Sequence, residues 1–352
     1  MRFCLVLTVL SLAAGCASPP DESKVGELDF YDWLELRRSE YAVALDGGRE
    51  SRGAQMELAY KLKLQIDKRY DSIVQRASSE EDAHVRELAV SALGFSQRPE
   101  AVAHIEKHLA DPVAAVRGTA SAAIGILNPP QVPMDKIEAL LLDVDLYCRQ
   151  ASLFAIKLLS KPDRKPSKYA IRRITELARD DSDIGVRNEA VLALGMIQDT
   201  DSIEFLSREA LSDESPLVRG NAARVLGGYG PAAKKAVPEL IERLKDGETG
   251  VVERAHYALK LITGRVDADP QYGAWSDWLK EISKVLEWAC QKDGVVRSAP
   301  GSCPKCGIPL EARAIPEAVF ACPEHKEVVL EKPGKCPQCQ KELLPRKRDA
   351  QE

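Results

Sequence analysis

One ten-residue phrase constrains this chain more than any other feature. Val186-Arg187-Asn188-Glu189-Ala190-Val191-Leu192-Ala193-Leu194-Gly195 has the form V-R-x-x-A-x-x-A-L-G. Val186, Ala190, Ala193, Leu194 and Ile197 fall on one stripe of an α-helix. The two alanines are small enough to let a neighbouring helix approach closely. Asp180, Asp181 and Asp183 stand just before it, where a helix N-terminus favours negative charge. The phrase recurs. Val85-Arg86 is followed by Ala89, Ala92, Leu93 and Gly94, and Val116-Arg117 by Ala120, Ala123, Ile124 and Gly125. Cys148-Arg149 is followed by Ser152, Ala155 and Ile156, and Val218-Arg219 by Ala222, Val225, Leu226 and Gly227. A sixth copy, Val251-Val252, keeps Ala255, Ala258, Leu259 and Ile262 but lacks the arginine. The steps between equivalent positions are 31, 32, 38, 32 and 33 residues, a period that belongs to stacked repeats.

Each period holds a second helical pattern upstream, over 101–109, 136–142, 171–178, 203–210 and 236–244. The unit is therefore a helix pair with an Asp-bearing turn, and one pair cannot bury its stripe alone, so neighbours must stack. These residues resemble the HEAT repeats, in the short form typified by the phycobilisome-lyase family. The resemblance covers roughly 85–264 and implies an all-α fold: a HEAT-repeat α-solenoid, here followed by two small metal-ribbon modules. Fold does not carry function with it. The repeated arginines read as structural partners of Asp82, Asp111, Asp143, Asp181 and Asp213, with a binding ladder as the other reading. Gly94, Gly125, Gly195 and Gly227 read as packing or C-cap glycines. The 38-residue step contains a Pro-rich basic loop, 160–167, read as a surface insertion.

Before the repeats, Arg2 and an apolar run from Phe3 to Leu12 lead into Leu12-Ala13-Ala14-Gly15-Cys16. This is the build of a secretory signal, too short for a permanent span. It resembles a bacterial lipoprotein box, which implies a signal peptide over 1–15, lipidation at Cys16 and attachment to the cell envelope. Ala17 and Ser18 resemble the outer-membrane sorting pattern, with the protein facing the periplasm. Residues 16–27 read as a tether, and 28–84 as N-terminal helices and a capping repeat. A short amphipathic helix is predicted from Leu28 to Leu36, with further helices at 56–66 and 71–77. After the repeats, 265–287 is read as a capping helix carrying the pair Trp275 and Trp278.

The chain has nine cysteines, and six follow residue 289. They form two copies of one module, ribbon 1 over 288–312 and ribbon 2 over 320–345. Cys290-x2-Asp293 precedes Cys303-Pro304-Lys305-Cys306; Cys322-x2-His325 precedes Cys336-Pro337-Gln338-Cys339. Four ligands from two such knuckles are the usual closed tetrahedral zinc site. The second copy resembles the heavy-metal-binding ribbon of copper and silver efflux components. That resemblance implies Cys322, His325, Cys336 and Cys339 as ligands. In the first copy Cys290, Cys303, Cys306 and Asp293 are the candidates, Asp293 standing where the histidine should be. The methionines of that motif are replaced by Glu324 and Lys341 in the second copy, and by Lys292 and Ile308 in the first. Thioethers select soft Cu(I), so zinc is the expected cofactor, with copper or another heavy metal as the alternative. Disulfides are a rival in an oxidising compartment. Cys148 takes an apolar repeat position and reads as a core thiol.

A net charge of −5 provides no global field for nucleic acid, and the basic run Arg346-Lys347-Arg348 reads as a solvated tail. No nucleophile elbow, phosphate loop or metalloprotease helix is present. The expectation is a non-enzymatic, membrane-tethered interaction scaffold whose solenoid binds a protein. The alternative is an envelope heavy-metal-binding protein that senses, buffers or delivers to a transporter. A third reading, an enzyme-like role, rests on the bilin-lyase analogy alone.

Overall fold

A computed structural model of the chain describes residues 27–46, 51–266, 268–283, 286–297, 303–308, 310–314, 318–322, 324–325, 327–330, 334–341 and 343–347. The signal segment, Cys16 and the tether up to residue 26 lie outside the described residues. The chain divides into two compact units, Met1–Val225 and Leu226–Glu352. Among the described residues no helix is long and apolar enough to cross a membrane.

The first unit opens with α1 (Glu27–Asp46), α2 (Arg52–Asp67) and α3 (Tyr70–Ser79). α1 runs ten residues beyond the predicted Leu36. The extra turns have their own anchors: Arg38 donates to Glu87 Oε1 at 2.8 Å, and Tyr41 meets Phe95 edge-to-face at 5.0 Å. Phe30, Trp33 and Leu34 are buried, and the Arg69 guanidinium lies 5.0 Å from the centre of the Phe30 ring.

The repeats follow as α4 (Ala83–Gly94); α5 (Val102–Ile105) and α6 (Ala114–Leu127); α7 (Met134–Ala139) and α8 (Leu146–Leu159); α9 (Lys168–Asp180) and α10 (Ile184–Ile197); then α11 (Ser202–Arg208) and α12 (Pro216–Gly228). α4 packs on α6, α6 on α8 and α8 on α10. The first helix of most pairs ends in a 3-10 turn, as at Leu140–Leu142 and Ala210–Ser212. The stripes are buried as their period requires: Val186, Ala190, Val191, Ala193, Leu194 and Ile197 all lie inside.

The glycines in the phrase are contact points rather than caps. A Cβ on Gly94 would lie 2.8 Å from Ala123 Cα, and one on Gly125 would lie 2.8 Å from Ala155 Cα. The left-handed caps are instead Asn128 and Gln198, further along the same helices.

Arg86, Arg117, Arg149 and Arg187 each join two repeats. Arg117 donates through Nε and Nη2 to the two carboxylate oxygens of Asp143 at 2.8 and 3.0 Å. Through Nη1 it also donates to the Asp111 carbonyl at 2.8 Å. Arg86 holds Asp111 in the same way, Arg149 holds Asp181, and Arg187 holds Asp213. The aspartates also accept a backbone N–H two residues on, from Val113, Asp145, Asp183 and Ser215. One carboxylate thus closes its own turn and receives the preceding repeat's guanidinium, a strong charge-assisted fork. Asp82 differs: it caps α4, accepting from the His84 and Val85 N–H groups. The long loop is pinned too. Arg164 donates to the carbonyls of Leu159 and Pro129 at 2.8 and 2.9 Å, and Ser167 caps α9. Cys148 is fully buried, and desolvation pushes its thiol up to about 12.

The second unit contains α13 (Val237–Glu242), α14 (Thr249–Thr263) and α15 (Tyr272–Ser283). Trp275 of α15 is buried, 5.6 Å from Trp278 in an edge-to-face pair. Arg265 lies over both indoles, 5.4 and 4.8 Å from their centres.

Two three-stranded antiparallel sheets complete the chain. β1 (Leu286–Ala289), β2 (Val296–Arg297) and β3 (Glu311–Ala314) form the order β2-β1-β3. β4 (Ala318–Ala321), β5 (Val329–Leu330) and β6 (Leu344–Lys347) form β5-β4-β6. The sheets extend both modules slightly past their expected limits. They also correct the reading of the basic run as a tail: Arg346 and Lys347 belong to β6, paired with Val319 and Ala318.

Candidate metal centre

Each ribbon builds its site from two tight knuckles. In the first, the Gly294 N–H donates to the Cys290 carbonyl at 3.0 Å, and the Gly307 N–H to the Cys303 carbonyl at 2.8 Å. Both turns need a left-handed residue, and glycine supplies it with φ of 64° and 73°. The second ribbon repeats this at Cys336, whose carbonyl accepts from Gln340, at φ 60°. Beneath the thiols lies a small apolar floor: Val295 and Leu310 in ribbon 1, and Val328, Leu343 and Phe320 in ribbon 2. Sequence reasoning missed this floor. Its signal was present, since Leu310 and Leu343 each follow the C-x2-C pair of their ribbon by four residues.

The structure brings together every ligand candidate of both ribbons. The donor atoms of Cys322, His325, Cys336 and Cys339 all lie within 4.8 Å of one another, as do those of Cys290, Asp293, Cys303 and Cys306. Cys322 Sγ is 3.5 Å from Cys339 Sγ, and His325 Nδ1 is 3.6 Å from both Cys322 Sγ and Cys336 Sγ. In ribbon 1, Cys290 Sγ is 3.6 Å from Cys306 Sγ, and Asp293 Oδ2 is 3.7 and 3.4 Å from Cys290 Sγ and Cys303 Sγ.

These separations test the metal. Zinc–sulfur bonds of about 2.3 Å and zinc–nitrogen or –oxygen bonds of about 2.0 Å give tetrahedral edges of about 3.8 Å between sulfurs and about 3.5 Å between sulfur and nitrogen or oxygen. The observed sulfur–nitrogen and sulfur–oxygen separations match, and the sulfur–sulfur separations of 3.5 and 3.6 Å are slightly shorter, so the residues fit a zinc-sized ion. A disulfide would need sulfurs about 2.0 Å apart. Three cysteines per cluster also leave one unpaired under any internal bridging.

Protonation reinforces the reading. Burial acts to raise the Cys322 thiol, but the His325 and Glu324 backbone N–H groups outweigh it and bring it down to about 6. His325 is raised by the Cys322 and Cys336 sulfurs. Cys306, facing the Asp293 carboxylate, is pushed up to about 12, while Cys290 is lowered by the Asp293 backbone N–H. In each cluster one thiol is lowered beside one that is raised, as expected of sulfurs close enough to share charge.

The HEAT-repeat family model matches residues 70–157 and 171–260. The chain belongs to the HEAT-repeat family. A second model, the heavy metal binding domain, matches 319–346 of this HEAT protein, the second ribbon. Mouse (Mus musculus) deoxyhypusine hydroxylase is 27% identical over 244 residues, 61% of this chain and 78% of its own. The structure of human deoxyhypusine hydroxylase is 22% identical, with a TM-score of 0.32 over 69% of this chain and 93% of that one. The complex of CpcE and CpcF of phycocyanin lyase from Nostoc sp. PCC7120 is 20% identical, with a TM-score of 0.41 over 54% of this chain and 75% of that chain. None of these likenesses carries an activity across.

Proposed function

We propose that this HEAT protein is a non-enzymatic scaffold of the bacterial envelope, tethered to the membrane by lipid on Cys16, with a solenoid that binds a protein partner and ribbons that hold zinc. The observation that carries the metal part is the count of donors: Cys322, His325, Cys336 and Cys339 supply four from the protein, all within 4.8 Å of one another. A four-donor site is closed. It leaves no position for substrate or for an activated water, which argues for a structural ion and against hydrolysis. When bound, zinc supplies the cross-link that a module of this size cannot obtain from its apolar floor alone. The four residues bind and orient it, and Val328 and Leu343 exclude water from one side.

For the solenoid, the Arg–Asp forks are satisfied within the protein, so partner binding falls to other surface residues. The net charge of −5 argues against nucleic acid as that partner. Ala17 and Ser18 after the cysteine, which resemble the outer-membrane sorting pattern, support localisation at the outer membrane, facing the periplasm. The metal-handling alternative draws on the heavy-metal-binding match to 319–346.

Three measurements test the reading. Metal analysis of reduced, periplasm-expressed protein should find zinc, and copper in its place would favour metal handling. Metabolic lipid labelling should be abolished in Cys16→Ser. Crosslinking and pull-down from native envelopes should return a reproducible protein partner; soluble wild-type protein with an unmodified terminus would reject the tether.

A further inference from the structure

We propose that α2 is a second membrane contact, its outer face lying on an anionic lipid surface beside the Cys16 anchor. This rests on the lipid tether proposed above and adds to it the part of the fold that meets the bilayer.

A solenoid needs a terminal element whose outer face is polar. α2 does not supply one. Its inner residues Leu62, Gln65 and Ile66 are buried, and the helix packs on α1, α3 and α4. Its outer face carries Met56, Tyr60 and Leu64, which are 69%, 60% and 43% exposed. Spaced four residues apart, they form one stripe. Gly53 continues it, with nothing within 4 Å of its would-be Cβ. Apolar side chains scattered singly over a surface are ordinary, whereas a stripe along one helix marks a contact.

Basic residues border the stripe. In helical projection Arg52 and Lys63 lie on one side of it, Lys61 and Lys68 on the other. Lys61 pairs with Glu57 and Lys63 with Asp67. Arg52 and Lys68 are exposed and have no carboxylate partner among the described residues. From Arg52 to Lys68 four basic residues stand against two acidic ones, a net of +2 in a chain of −5. An apolar stripe bordered by Lys and Arg is the build of a helix that lies in a lipid interface. The stripe enters the acyl boundary, the cations stay among anionic headgroups, and the Tyr60 hydroxyl stays at the polar level.

The anchor arrives at the right end of this helix. Gln55 Nε2 donates to the Ala44 carbonyl at 2.7 Å, joining the start of α2 to the end of α1. Just past the other end of α2, the Arg69 guanidinium lies 5.0 Å from the centre of the Phe30 ring. α2 therefore runs back along α1 and finishes beside its start, where the chain arrives from Cys16. Positions 16 and 27 are 11 residues apart, a reach of at most about 40 Å. α2 has 16 residues and is about 24 Å long, so the whole stripe is within that reach. Three apolar side chains hold a bilayer weakly by themselves. A short tether makes the contact intramolecular, with an effective concentration of about millimolar, and so favours lipid as the occupant.

The test reconstitutes the lipidated protein into vesicles of phosphatidylethanolamine and phosphatidylglycerol, with and without bromine on the upper acyl chains. Mass spectrometry of the N-terminal peptide establishes the lipid on Cys16. An interfacial helix sits about 5–10 Å into the headgroup–acyl boundary, so bromolipid should quench the added emission of Met56→Trp roughly twofold. Ile184→Trp, at an exposed position of α10, should not be quenched. Arg52→Glu combined with Lys68→Glu should weaken the quenching of Met56→Trp, as should high salt. Circular dichroism checks that the variants remain folded. Lipid on Cys16 without quenching of Met56→Trp, or with equal quenching of Ile184→Trp, would overturn the docking and leave the tether intact. So would crosslinking of Met56→Cys to a second copy in place of lipid contact. An unmodified Cys16 would overturn both.

Discussion

Lys341 Nζ lies 2.8 Å from Glu324 Oε1, bridging the two knuckles of the second ribbon. These are the two positions at which the copper and silver ribbon motif that the sequence resembles carries methionine. Here a charge pair stands at both. Both partners are substantially exposed, so the pair contributes at most about 1 kcal/mol. Glu324→Gln should therefore leave thermal stability nearly unchanged. The double variant Glu324→Met, Lys341→Met should raise Cu(I) affinity relative to zinc, because soft sulfur favours Cu(I). Competitive titration checks this, and an unmoved copper-to-zinc preference would reject the thioether argument.

The Arg117–Asp143 fork is largely buried and bidentate. Removing one partner strands the other, which costs about 3 kcal/mol. Arg117→Ala should lose about that much in urea unfolding. A double-mutant cycle with Asp143→Asn should show strong coupling. Unchanged stability with lost partner capture would turn the arginines into a binding ladder.

Gly125→Ala should destabilise, although alanine is the better helix former by about 1 kcal/mol. The added methyl would meet the Ala155 backbone at 2.8 Å, and overpacking costs about 1–3 kcal/mol. Gly53, with nothing within 4 Å of its would-be Cβ, is the control: Gly53→Ala should stabilise.

Stability should fall in acid through the ladder. Asp143 is held below the usual carboxylate range by Arg117; Asp111 is held low by Arg86 and the Val113 N–H, despite burial, which acts to raise it. A depressed folded-state pKa means that the contribution is complete above the unfolded value of about 3.9 and disappears as pH falls through the folded one. The unfolding midpoint should thus drop below about pH 4, less steeply in Arg117→Ala. A midpoint independent of pH in that window would contradict the forks.

Chelation should dismantle the ribbons and spare the repeats, since metal binding and folding are coupled in modules without a core. Hydrogen exchange should rise across 286–347 while protection in α4 to α10 persists. Protected ribbons after chelation would mean that the metal is not structural.

The repeat was legible because its cause is local. Helical spacing of Val, Ala and Leu is a one-dimensional pattern, and six copies state it. The ribbon ligands were legible for the same reason: Cys-x2-Cys and Cys-x2-His are set by the reach of a single turn. The reading of Gly94 and Gly125 stopped at packing or capping, because the two roles differ only in which neighbour meets the glycine. The length of α1 escaped because Arg38 and Tyr41 are anchored by Glu87 and Phe95, about fifty residues away. The pairing of Arg346 and Lys347 escaped because their strand partners, Val319 and Ala318, lie far upstream.

Sequence by itself determined the helix-pair period, the buried stripes, the identity of the eight ligand candidates and the Asp-for-His difference between the ribbons. Tertiary structure decided that Arg86, Arg117, Arg149 and Arg187 each hold the aspartate of the next repeat. It also decided that four donors from two knuckles converge within 4.8 Å of one another and that Glu324 meets Lys341. The physical reason is range. Periodicity and turn chemistry act over a few residues, whereas an ion pair or a coordination sphere exists only once folding brings distant side chains within about 4 Å.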